Sequence, residues 1–159
     1  MMVANVVLSS LVNGYGCRLV VVFSGCSLGC EGCFSEEIQA FDYGKNVNWK
    51  HLADIIAKRI KKDELIDGLT ISGGNPQEQP DLTKFLKEIK RIIPDLNIWA
   101  WSGFTMKEIT SKPNLLEQLD YIDVIITGRY EIANKCDHPY YGSSNQNVWR
   151  KKDGEWKKD

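Results

Sequence analysis

The sequence has no apolar run approaching the roughly 20 residues that cross a bilayer. It has no excess of either charge, with 20 Lys and Arg against 21 Asp and Glu, a net charge of -1. The first absence argues against a membrane-spanning chain. The second removes the electrostatic pull that draws basic proteins to nucleic acid or anionic lipid, so neither a nucleic acid nor a membrane is expected as a partner. Histidine is scarce, at two residues. The opening Met1-Met2-Val3-Ala4-Asn5 has neither the basic start nor the long apolar core of a secretory leader. Five cysteines, an odd number, make a poor disulfide framework, so a reducing, cytoplasmic setting is expected. No strand pattern is followed by Gly-x-Gly-x-x-Gly or by a glycine loop ending in Lys-Ser/Thr, which excludes the dinucleotide fingerprint and the phosphate loop. What remains is ordinary globular material, 159 residues at 43% hydrophobic and 26% charged, enough for one domain.

Three of the cysteines fall within eight residues, Cys26-Ser27-Leu28-Gly29-Cys30-Glu31-Gly32-Cys33. Buried structural cysteines have no reason to cluster in this way. Gly25, Gly29 and Gly32 interleave with them, and residues free of a Cβ let a short backbone fold tightly enough to aim several thiolates into one region. Such a constellation calls for a metal. Structural zinc closes its tetrahedron with four protein ligands, and a fourth would have to come from Cys17, His51, Cys136 or His138. An iron–sulfur cube normally takes four cysteines. With three, one iron keeps an open coordination position, the place where a substrate binds. The spacing favours an open cube and leaves zinc and a redox cluster as alternatives. Cys17 and Cys136 read as small buried hydrophobes, and His51 as a surface or capping residue near a helix start.

Leu19-Val20-Val21-Val22-Phe23 is a short β-branched run, the mark of a strand buried on both faces. Leu69-Thr70-Ile71, Ile98-Trp99-Ala100-Trp101 and Ile122 to Ile126 read similarly. Between them Leu52, Ile55, Ile56 and Ile60 recur at helical spacing, as do Leu82, Phe85, Leu86, Ile89 and Ile93 ahead of Pro94. Thr105 and Glu108 form the pattern of a capping box. Strands alternating with helices imply βαβ units and a mostly parallel sheet. A full barrel takes about 250 residues, so the expected fold is α/β, a partial, open (βα) barrel. The cysteine loop, Gly73-Gly74-Asn75-Pro76, Ser102-Gly103 and Gly128-Arg129 each follow a strand, and ligands of parallel α/β folds bind at the carboxyl ends of strands. Four such loops on one rim predict one site. The tail around Asp153-Gly154 reads as a hairpin with Trp149 and Trp156 as diagonal neighbours.

Cys-x3-Cys-x2-Cys at Cys26, Cys30 and Cys33 resembles the signature of the radical S-adenosylmethionine superfamily. Within it, Val12 to Arg18, Gly25 to Phe34, Thr70 to Pro76, Ile98 to Thr105, Asp123 to Tyr130 and Gly142 to Gln146 resemble, in order, the activating proteins of anaerobic (class III) ribonucleoside-triphosphate reductase. The resemblance implies a partial barrel of the radical S-adenosylmethionine type, one domain over 1–159 with a core at about 12–130 and a C-terminal segment 131–159 ending in a hairpin. It implies a 4Fe-4S cluster on Cys26, Cys30 and Cys33 with the fourth iron open. S-adenosylmethionine would lie against Gly73 and Gly74, and against Gly32, Cys33 and Phe34 near the adenine. The implied reaction cleaves S-adenosylmethionine reductively and installs a glycyl radical on the reductase, with an electron donor such as flavodoxin. The family more often carries an acid where this chain has Asn75, and many radical enzymes carry an aromatic residue where it has Gly32. Alternatives are an activase of another glycyl-radical enzyme, a small-molecule radical enzyme, and a zinc-stabilised binding module without catalysis.

Overall fold

A computed structural model describes residues 1–159. Eight strands build one sheet: β1 (Met2–Ser10), β2 (Arg18–Phe23), β3 (Lys45–Asn46), β4 (Gly68–Gly73), β5 (Asn97–Ser102), β6 (Val124–Thr127), β7 (Asn147–Lys152) and β8 (Glu155–Lys158). The helices are α1 (Trp49–Lys62), α2 (Leu82–Ile92), α3 (Met106–Thr110) and α4 (Pro113–Leu116), joined by short 3-10 turns. The order β3-β1-β2-β4-β5-β6-β7-β8 ends at two separate edges.

This architecture corrects the expected partial (βα) barrel with a mostly parallel sheet. Only the centre is parallel, β2 to β4, β4 to β5 and β5 to β6. Four other pairings, β1 with β2, β1 with β3, β6 with β7 and β7 with β8, are antiparallel. The sheet is therefore mixed, and α/β only in the general sense. Hydrophobic periodicity finds strands but carries no sign of their direction. In addition, β1 mixes buried and exposed positions and has no β-branched run like that of β2.

Alternation along the central strands gives two buried faces. Leu19, Val21, Phe23, Leu69, Ile71 and Ile98 point into the main core, where α1 delivers Leu52, Ile56 and Ile60, and α2 delivers Phe85, Leu86 and Ile89. Ile55, on the same apolar repeat, is half exposed. Asn48 caps α1, accepting from the N–H groups of Lys50 and His51 at 3.0 and 3.2 Å. On the opposite face Trp99, Val124, Ile126 and Val148 form a smaller cluster with Trp101, Tyr140 and Tyr141. There the Arg18 guanidinium donates to Leu69 O, Asn97 O and Asn97 Oδ1 at 2.6, 2.9 and 2.9 Å. With no carboxylate in direct contact, burial pulls its pKa down to about 10 against the opposing pull of Asp67 and Asp123. The tail turns through Asp153 and Gly154, both at positive φ, and pairs Trp149 with Lys158 and Lys151 with Trp156, so the two tryptophans are diagonal neighbours.

Candidate functional site

The cysteine loop leaves the end of β2 and is pinned at its root. Gly25 N–H donates to Ile38 O at 2.8 Å, and Cys26 N–H to Gln39 O at 2.9 Å. Gly25, Gly29 and Gly32 all have positive φ, at 95, 58 and 68°, a region costly for residues with a Cβ. Those turns bring Cys26, Cys30 and Cys33, all free and half-buried, to one cavity of about 720 Å³. Burial pushes the Cys26 thiol pKa up, and Glu78, Cys30 and Cys33 push it the same way. Ser35 N–H points at Cys33 Sγ, 3.4 Å away.

The other strand-end loops reach the same cavity. Gly73 and Gly74 line it from β4, Ser102 and Gly103 from β5, and Gly128 from β6. At Gly73, φ is 120° and a Cβ would be driven into the Phe23 carbonyl oxygen. Gly74 donates its N–H to that oxygen at 2.9 Å, while its own carbonyl accepts no hydrogen bond from the protein. Gly32 lines the cavity too, with Ile132 Cδ1 at 2.8 Å from where its Cβ would be. Phe34 sits at the mouth with its ring fully exposed.

The C-terminal segment supplies another part of the wall. Cys136 and His138 line the cavity, and Cys136 is half-buried, as is Cys17, so neither is the core hydrophobe that composition suggests. His138 stacks on Tyr141 at 3.6 Å between ring centroids and accepts at Nδ1 from Tyr140 N–H. No three His, Cys, Asp or Glu side chains stand close enough to hold a single metal ion. A cube takes its thiolates on different irons, and three free thiols around one open cavity fit it.

Sequence reasoning left Asn75 without a role and passed over Glu78. Asn75 is fully buried. Its Nδ2 donates to Glu78 Oε2 at 3.0 Å, and its Oδ1 accepts from Ser102 Oγ and Gly103 N–H at 3.3 and 3.4 Å. Glu78 Oε2 also accepts from Ser27 N–H at 3.1 Å. One amide and one carboxylate thus tie three of the four loops together, and the amide donates on one side and accepts on the other, which an ionised carboxylate in its place could not do. The Gly142-Ser-Ser-Asn-Gln stretch braces the fourth. Asn145 Nδ2 donates to Arg129 O, and Gln146 Nε2 to Gly128 O, both at 2.9 Å.

Three free thiols gather at the carboxyl end of the parallel strands of a mixed α/β sheet, and residues 12–149 match the family described as a 4Fe-4S single cluster domain, which places the chain among the iron–sulfur proteins. Similar chains are the anaerobic ribonucleoside-triphosphate reductase-activating proteins of Enterobacteria phage T4, Pasteurella multocida and Escherichia coli K12. The first is 34% identical over 151 residues, 93% of each chain. The second is 33% identical, over 89% of this chain and 92% of its own, and the third 30%, over 87% and 91%. The chain belongs to the family of anaerobic ribonucleoside-triphosphate reductase-activating proteins.

Proposed function

We propose that this chain is an activating enzyme that installs a glycyl radical on an anaerobic ribonucleoside-triphosphate reductase, using S-adenosylmethionine at a 4Fe-4S cluster held by Cys26, Cys30 and Cys33. The observation that carries the reading is the convergence of the three thiols with the glycine loops of β4, β5 and β6 on one cavity. A cluster held by these thiols would, once reduced, supply the one electron for cleavage of S-adenosylmethionine to methionine and the 5′-deoxyadenosyl radical that would take the hydrogen atom from the glycine Cα. The residues do the positioning. Gly74 offers its free carbonyl to the methionyl amino group, and Gly73 keeps the backbone there bare of side chains. The adenine lies beside Gly32 and Cys33, with Phe34 as a stacking surface at the mouth. Val12 and Phe34 leave exposed apolar surface at the opening, suited to a partner that brings its glycine backbone to the cavity. The whole chain acts as one unit in the cytoplasm, reduced by a donor such as flavodoxin.

Anaerobic reconstitution tests the ligand set. Wild type is expected to turn brown with about four irons and four sulfides per chain. Cys26→Ala, Cys30→Ala and Cys33→Ala each lose that iron, while Cys17→Ala and Cys136→Ala keep it. One tightly bound zinc and no colour would refute the reading. So would loss of the cluster in Cys136→Ala, since Cys136 would then occupy the position reserved for S-adenosylmethionine.

A further inference from the structure

Arg129 follows the cavity-lining Gly128 and is held at several points. Asn145 donates to its carbonyl at 2.9 Å, and Ser143 Oγ accepts from the next-but-one N–H, that of Glu131, at 3.2 Å. Its guanidinium grips Glu108 with both terminal nitrogens, NH1 and NH2, at 3.0 and 2.9 Å. Glu108 is in turn fixed by Thr105, whose N–H donates to Glu108 Oε2 at 2.7 Å. Just beyond Arg129, Ile132 packs against Gly32 of the cysteine loop. The ion pair is therefore an oriented dipole beside that loop. Arg129 is the end joined to the cavity wall, through the preceding Gly128. The Arg129 guanidinium pKa is raised first by Glu108, against the opposing pull of burial, and further by Cys30 and Cys26.

We propose that the Glu108–Arg129 pair is a charge device that sets the reduction potential of the cluster, Arg129 favouring the reduced form and Glu108 holding and partly offsetting it. The inference rests on Cys26, Cys30 and Cys33 being the ligands. Adding an electron to a cluster makes it more negative, so a fixed cation at close range stabilises the product of reduction. Arg129 is a positioning residue in this account, since it acts on the cluster through space and its side chain does not line the cavity.

The test is an EPR-monitored redox titration of the reconstituted full chain, with iron and sulfide determined for each variant. Arg129→Gln is expected to lower the potential, changing the oxidised-to-reduced ratio at fixed potential by about threefold, or ~30 mV for one electron at 59 mV per tenfold. Glu108→Gln, which keeps the capping oxygen and removes the offsetting charge, is expected to move it the opposite way. Arg129→Lys, which keeps the charge, stays nearest wild type. A merely structural pair would not give shifts of opposite sign. Iron-loaded Arg129→Gln and Glu108→Gln with unmoved potentials, or with shifts of the same sign, overturn the inference alone. A wild-type chain that takes up no iron overturns the ligand reading and the inference with it.

Discussion

Asn75 shows how much a single amide decides here. Asn75→Asp would set a second carboxylate against Glu78 in a buried place and remove the donor that now bridges them at 3.0 Å. Two carboxylates sharing one site cannot both ionise, so a loss of about 1–3 kcal/mol is expected at neutral pH. Thermal melting of the metal-free chain reads it, and adding Glu78→Gln should restore most of the loss. An unchanged melting temperature in Asn75→Asp would show that Glu78 is no partner. Glycines divide in the same way. A Cβ on Gly74 would stand 2.5 Å from the Gly25 carbonyl oxygen, while one on Gly29 meets nothing within 4 Å. Gly29→Ala is expected to cost only the strain of its positive φ, about 1–2 kcal/mol. Gly74→Ala should cost clearly more, because backbone rather than a flexible side chain must move. The sequence made the cysteines and the Gly-Gly pair legible, since each has a local pattern. Glu78 was not legible, because its target Ser27 lies 51 residues away.

The helices were the most readable elements. The buried faces of α1 and α2 follow the spacing of Leu52, Ile56 and Ile60, and of Leu82, Phe85, Leu86 and Ile89. The capping box of α3 stands where Thr105 and Glu108 announce it. What local pattern could not announce is the second partner of Glu108, Arg129, on the far side of β6. Arg129 and the Thr105 N–H hold the Glu108 carboxyl down at about 2 from its ordinary 4.5. A depressed folded value means stabilisation that is fully present above the ordinary carboxylate range and fades as pH falls towards 2. Wild type should therefore exceed Glu108→Gln in stability above pH ~5, and the two should converge in acid. With both side chains more than a third exposed, solvent screening limits the difference to about 1 kcal/mol at most. Denaturant melts across pH read it, and a gap that widens in acid would contradict the pairing.

Across the whole molecule, the central strands and the tail hairpin were found, while β1, β3 and the arrangement of the sheet were not. The parallel centre β2-β4-β5-β6 is what alternating strands and helices predict. The flanks are set by long-range pairing: β1 folds back antiparallel on β2, and β7 lies antiparallel on β6. No residue pattern within β1 or β7 fixes that direction, which is why a barrel-like parallel sheet was expected and a mixed open sheet was found. The site survives the correction because its thiols and glycine loops stand at the carboxyl ends of the parallel centre, which open on one side. The proposed function leaves its mouth to a partner reductase. EPR of the anaerobic mixture of this chain, S-adenosylmethionine, a reductant and an anaerobic ribonucleoside-triphosphate reductase measures that partnership directly. A glycyl doublet on the reductase is expected with wild type and absent with Cys30→Ala. A doublet that persists with Cys30→Ala, or its absence with iron-loaded wild type, would contradict the account.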